Sequence, residues 1–543
     1  MTASMSCPRG GLAVALLTLS LAASGLAGCS DRGTPDNKVQ AQASANPCGD
    51  VALALDSTLP KNNTGSDQAT VDCAAWQAFI ALNWRADPSK PGYPDPAATP
   101  ADFGTPGDKR PTVWETYLEA ATVFGGNAPL KGLWEAKRPA AKSLIRTSKF
   151  GALDLSAIVQ AGSGDHWLTN QRGDVTYYEV MMNRDEFLFI TTQQDFDLTT
   201  AAGQLHCALQ RGQQISDEPP PPPNAPYRGG LSLPSGQASG WSDTDCTGKR
   251  TGWGDGVGAM EIKAAWTPLP ADHSLDYRYK TATAEIQDPR TKSVRTVTVG
   301  LVGLHIIRKT IGRQQWIWAT FEQIDNSPDE AAGGGFSPPA LPHNSNQQPS
   351  PGFTFFNPAC NPANDPAYGC VHNAPPTPCL LGSTKCQPYN APMQITRLNP
   401  VADPANSVTA YVWSLLAAQA PQSVFNYYRL INVQWPQQSQ IVPAGQRLPL
   451  PFGNPTPPVS PNPDANPPLP ANQIIANTTL ESFQQSSASC MDCHARYTQI
   501  AMPNLLQATV PGGLRRLSKG TGKDGLPPFA SDYSFIFITE TKR

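Results

Sequence analysis

Hydrophobic positions recur with a helical period in TVDCAAWQAFIALNW (residues 70–84), where Trp76, Phe79, Ile80 and Asn83 line one side and predict an amphipathic helix. TVWETYLEAATVF sets Val113, Tyr117, Leu118 and Ala121 along one side and predicts a second. From about residue 150 to 325 the pattern changes to strands. VTYYEVMMN, EFLFITT, AMEIKAAW, YKTATAEI, SVRTVTVGLVGLHIIRKT and QQWIWATFEQI are rich in β-branched and aromatic residues and bounded by turn residues. The last two flank Ile311-Gly312-Arg313 and predict a hairpin. Along the long strand, strict alternation puts Val297, Val299, Leu301, Gly303 and His305 on one face and Thr298, Gly300, Val302, Leu304 and Ile306 on the other. Apolar residues on both faces predict a central strand covered on both sides, an unusual place for an imidazole. Helical spacing returns in SVTAYVWSLLAAQ, and SVFNYYRLINVQW is a weaker helical candidate. Thr478-Thr479-Leu480-Glu481 has the form of a capping box and predicts a helix running toward residue 490. The tryptophans of these segments read as core residues.

Other stretches lack a period. GWGDGVG (252–258) has neither the strand before it nor the helix after it that a phosphate loop needs, and no GKS or GKT follows; it reads as a flexible turn. EPPPPPN (218–224) is a stiff loop, residues 336–400 are a Pro- and Cys-rich excursion, and residues 449–470 hold ten prolines in 22 positions. Across 543 residues, 56 are proline, about twice the usual share. Hydrophobic residues make up 39%, which still permits a packed core. Charged residues make up only 15%, the net charge is −3 and no Lys/Arg block occurs, so nucleic-acid binding is unsupported.

The densest chemistry is Cys490-Met491-Asp492-Cys493-His494. Two thiols separated by two residues on one helical turn can add to the two vinyl groups of a porphyrin, and the next histidine then points its imidazole at the iron. Zinc binding would need two further ligands at suitable spacing, and no second CxxC or HxxxH exists. A thioredoxin-like pair would need a βαβ surround, and two disulfide cysteines beside a chance histidine is the blandest alternative.

Covalent haem attachment requires export, and residues 1–28 read as a signal: Arg9 precedes an apolar run from Leu12 to about Ala23, too short to span a bilayer. Leu26-Ala27-Gly28-Cys29 resembles a bacterial lipoprotein cleavage site, with Cys29 acylated; an ordinary cut near Ala27, with Cys29 pairing elsewhere, is the alternative. Ser30 follows, so the aspartate of an inner-membrane retention signal is absent and the outer membrane is the expected anchor site. Setting aside Cys7, Cys29, Cys490 and Cys493, eight cysteines remain, and their order suggests local pairs: Cys48 with Cys73, Cys207 with Cys246, Cys360 with Cys370 and Cys379 with Cys386.

The expected organisation is a signal (1–28), a tether (29–69), a helical part (70–149), a β-rich centre (150–335), the Pro/Cys-rich excursion (336–400), a helical segment (401–448), a Pro-rich linker (449–472) and a haem segment (473–543). The fold class is α+β: an antiparallel β-rich central domain with packed helices, long Pro-rich loops and a short C-terminal helical haem segment.

The CxxCH matches c-type cytochromes. AWQAFIALNW, VWETYLEAATVF, MEIKAAW, VGLVGLHIIRKT, WIWATFEQIDN and NTTLESF followed by SCMDCH resemble a group of large bacterial single-haem cytochrome c family proteins, over most of residues 70–535. The resemblance implies one haem c and electron transfer, and names no substrate. Small cytochromes c carry CxxCH near the start of the domain and a distal methionine well after it. Here 49 residues follow His494, with no further histidine and one methionine, Met502, about 12 Å along a continuing helix. His305 and Met502 are the candidate distal ligands, with another residue or an open site as alternatives; a core histidine bonded to backbone is the plain reading of His305. The expected function is a lipid-anchored extracytoplasmic cytochrome passing electrons to or from a redox partner. A haem enzyme, peroxidase or oxygenase, with a small-molecule substrate pocket in the β domain is the alternative, and a haem-containing binding or sensor module the third reading.

Overall fold

The computed structural model describes residues 46–125, 129–145, 167–213, 230–236, 243–250, 252–289, 291–330, 336–337, 348, 350–360, 370–375, 390–435, 475–486, 490, 494, 500–501 and 531–540. Cys29, Cys379, Cys386, Cys493, Met502, the signal and the 449–472 linker lie outside the described residues.

The strands in chain order are β1 (Leu118–Glu119), β2 (Lys142–Leu144), β3 (Tyr177–Met182), β4 (Met260–Pro268), β5 (Thr281–Gln287), β6 (Val294–Thr310), β7 (Arg313–Gln323), β8 (Asp329–Glu330), β9 (Phe336–Ser337) and β10 (Tyr428–Gln434). The helices are α1 (Gln68–Leu82), α2 (Ala120–Phe124), α3 (Arg184–Thr191), α4 (Ala201–Gln213), α5 (Asp403–Gln419) and α6 (Ile536–Glu540). Mixed sheet plus helices makes the class α+β. Strand β6 is the hub of the main sheet. One edge pairs with β4, and the other pairs with β5 along its first half and with β7 along its second. Every pairing in this sheet is antiparallel except β2 with β5. β1, β2 and β10 join from outside the expected 150–335 region.

One face of the sheet is covered by helices. Asp67 caps α1 by accepting from Thr70 N–H, and the ring of Phe79 packs 4.4 Å from that of Phe321 on β7. Trp76 is fully buried, packs edge-on to Phe321 and donates its indole N–H to Thr409 Oγ1 of α5 at 3.3 Å. Burying such a side chain contributes about 2–3 kcal/mol, and its hydrogen bond removes the cost of a dry indole N–H.

The opposite face takes most of its described contacts from the C-terminal segments, which are largely irregular. Asn477 donates to Thr320 Oγ1 and to Phe321 O of β7, each at 2.9 Å, and Thr478 N–H donates to Glu322 at 2.5 Å. Ser534 Oγ donates to Glu261 of β4, and Lys309 of β6 lies 2.6 Å from Asp532. The described parts of 475–486 and 531–538 thus lie flat on the sheet.

Five expectations are corrected. EFLFITT is not a strand but most of α3: Asn183 accepts from Glu186 N–H at 3.1 Å, and Asp185 and Glu186 occupy the positive first turn. TVWETYLEAATVF is not one helix, because Leu118 and Glu119 give their backbone to β3 opposite Met182 and Met181. SVFNYYRLINVQW is a 3-10 turn, Val424–Tyr427, followed by β10 paired with β7. The capping motif near residue 478 starts no helix among the described residues: 478–486 are turns and a bend, in which the Asn477 side chain accepts from Thr479 N–H and Glu481 reaches back to Asn477 N–H at 3.0 Å. The alternation along β6 also breaks. A bulge opposite Ala265 and Trp266 puts Leu301 in the same apolar cluster as Leu304 and Ile306, while Val302 packs with Ala265 and Leu480. Gly303 and His305 therefore look away from the helices.

Three disulfides form as the sequence order suggested, Cys48–Cys73, Cys207–Cys246 and Cys360–Cys370. They are consistent with a location outside the cytoplasm. Among the described residues no helix is long and apolar enough to cross a membrane.

Candidate functional site

His494 packs on the face of the sheet opposite α1, and Cys490, helical like it, lies four residues earlier. The His494 ring lies 4.3 Å from that of Trp318 on β7 and packs edge-on to Phe535 at 4.7 Å. Its Nδ1 is 2.6 Å from Tyr533 O. A carbonyl only accepts, so Nδ1 carries the hydrogen and Nε2 is the basic nitrogen of the ring. That tautomer is the one an iron-ligating histidine needs, and the backbone contact that fixes it is the usual partner of a metal-bound imidazole. Cys490 is half-buried and packs against the main apolar cluster. On these two residues the donor chemistry fits a haem c.

His305 lies close by on the same face. It pairs with Thr320 across β6 and β7, and Trp318 is two residues further along β7, about 7 Å on. Its Nε2 is 3.3 Å from Glu481 Oε2, an ion-pair distance, yet no well-directed hydrogen bond reaches that nitrogen. Alignment matters more than separation here, so the contact is a loose imidazole–carboxylate pair. The other described histidines are placed as surface or loop residues: His206 beside Phe196, His273 beside Asp276 and His372 beside Phe356.

A buried charged cluster adjoins His494 and was not legible in the sequence. Lys309 Nζ holds Asp532 and donates to Leu233 O at 2.7 Å, while Trp316 donates to Asp532 O. Lys263 lies 5.8 Å from the Phe535 ring that packs on His494. Glu186 of α3 is fully buried, and neither of its carboxyl oxygens has a hydrogen-bond partner. Burial pushes Glu186 well above the usual carboxylate range, with Glu261 and Asp532 adding to the rise. Burial raises Glu261 as well, against the pull of Lys263. Three carboxyls and two ammonium groups at one dry site balance when one carboxyl keeps its proton.

The glycine-rich run is not a loose turn. Asp185 accepts from Asp255, Val257 and Gly258 N–H at 2.6, 2.8 and 3.0 Å, so the loop wraps a carboxylate. Gly254 and Gly258 have positive φ, and a Cβ on Gly254 would collide with Asp185. Burial nevertheless pushes Asp185 up to about 7, with the three N–H groups opposing.

Compared with protein-family models, curated proteins and solved structures, the chain matches none.

Proposed function

We propose that the protein is an extracytoplasmic c-type cytochrome, with one haem c bonded through Cys490 and Cys493 and ligated by His494, that passes electrons to and from a redox partner. The observation that carries this reading is the setting of the histidine that ends CxxCH: its Nδ1 is anchored on Tyr533 O, and its ring is packed between Trp318 and Phe535. When bound, the haem would supply one-electron iron chemistry. The chain's own residues set its conditions. The Tyr533 carbonyl makes Nε2 a stronger donor, and the two aromatic rings fix the imidazole plane and keep water from it. Acylated Cys29 and the polar segment after it would tether the folded body to a membrane, the outer membrane by preference.

A haem enzyme is the second reading, and His305 beside Glu481 is the observation that favours it, since an imidazole–carboxylate pair suits acid–base work. The optical and resonance Raman spectra of the purified holoprotein separate the two. Low-spin, six-coordinate iron that is inert to peroxide supports electron transfer. High-spin iron that binds added ligands supports the enzyme.

A further inference from the structure

We propose that Arg308 marks a binding site for one small monatomic anion, of chloride size, between α1 and the sheet. Arg308 sits on the helix-covered side of β6 and is 6% exposed. A guanidinium has five N–H donors. Among the described residues, the only protein acceptor of Arg308 is Pro60 O, which takes one bond from Nη2. Its Nε is buried with no partner, and no carboxylate of the described residues lies within ion-pair distance. Other buried cations of the sheet region are treated differently. Arg278 is clasped by Asp325, Arg397 by Glu322, Arg429 by Asp329 and Lys309 by Asp532.

Arg308 borders a cavity of about 10 Å³, lined also by Asn62, Asn63, Ala74, Ala78 and Ile317. That is room for one body between a water and a small halide once the open side gives slightly, and too little for the several heavy atoms of sulfate or phosphate. Asn62 is exposed and leaves a route from solvent. The choice between water and an ion follows from charge. Burial lowers the Arg308 guanidinium only to about 10, so it stays cationic at neutral pH. A water would satisfy an N–H but leave a dry, uncompensated positive charge, which costs several kcal/mol. A halide satisfies both, and an apolar wall of alanine and isoleucine suits its low charge density.

The test is thermal unfolding of the full chain in sodium chloride, sodium bromide and sodium gluconate at equal ionic strength, with wild type and Arg308→Met. Binding to the folded state alone raises the midpoint with the logarithm of halide concentration once this exceeds the dissociation constant. The expected result is a halide-dependent rise in wild type that Arg308→Met abolishes, with the variant at least as stable as wild type in gluconate. Equal midpoints in chloride and gluconate, or the same halide gain in both proteins, overturn the proposal. Should the variant fail to accumulate, bromide-soaked crystals of the wild type decide. An anomalous peak against the Arg308 guanidinium supports the site, and ordered water alone there overturns it.

Discussion

Replacing Gly303 by alanine tests whether the segment carrying CxxCH is seated on the sheet as described. A Cβ on Gly303 would collide with Thr479 Oγ1 and lie 2.9 Å from Asn477 Oδ1, closer than side chains pack. Residues 477–479 would have to lift. Lifting breaks the two bonds from Asn477 to Thr320 and Phe321, at about 1 kcal/mol each, and strain at an overpacked site costs about 1–3 kcal/mol. The stiffer unfolded chain of an alanine variant returns about 0.5–1 kcal/mol. The net expectation is a loss of about 2–4 kcal/mol, read from urea midpoints. Amide exchange over 475–486 should accelerate, while exchange in α1, on the other face, should change little. Asn477→Ala alone should cost about 2–4 kcal/mol, because it removes those two bonds and the two that Thr479 gives to Asn477 Oδ1, without the collision. The double variant should cost less than the two losses added, since both act through one contact. A Gly303→Ala protein within about 0.5 kcal/mol of wild type and with unchanged exchange refutes the seating.

Further outcomes follow from the same structure. Glu186 and Glu261 have raised folded-state pKa values, so their contribution is fully present below the unfolded value of 4.5 and is lost as pH rises. Melting midpoints of wild type should therefore fall from about pH 5 to about pH 8 more steeply than those of Glu186→Gln; parallel slopes would remove the cluster from the account. Paired Cys207→Ala and Cys246→Ala substitutions, opening a link across 39 residues, should cost about 4 kcal/mol by denaturant titration. His305→Ala and Met502→Ala test the sixth iron position: the true ligand's variant should lose low-spin character, and unchanged spectra in both exclude both residues. Cys29→Ser should move the protein to the soluble fraction, and full retention on membranes would mean another anchor.

Much of the fold was legible where the period was local. Trp76, Phe79 and Ile80 announce α1 because a helix repeats within the segment that forms it, and β6 and β7 announce themselves by length and β-branched content. The α3 segment misleads because Phe187, Phe189 and Ile190 suit strands and helices alike; the deciding signal is Asn183, three residues ahead of Glu186. The bulge that turns His305 away from the helices depends on β4, about 40 residues away in sequence, and strict alternation along β6 cannot reveal it. In the candidate site, CxxCH drew attention to His494, but the partners of His494 come from Trp318 and from Tyr533 and Phe535, segments far apart in sequence. Asp185 gives the glycine-rich loop its shape from 70 residues away, for the same reason.

The central claim is that Cys490 and Cys493 hold one haem covalently with His494 as its ligand. Its most direct test is the intact mass of the full-length protein, produced in a host that matures c-type cytochromes and extracted with acid acetone. A mass greater by one haem per chain is expected, lost when Cys490 and Cys493 are both replaced by alanine. Haem that passes into the acetone, or a wild-type chain with no added mass, would contradict it.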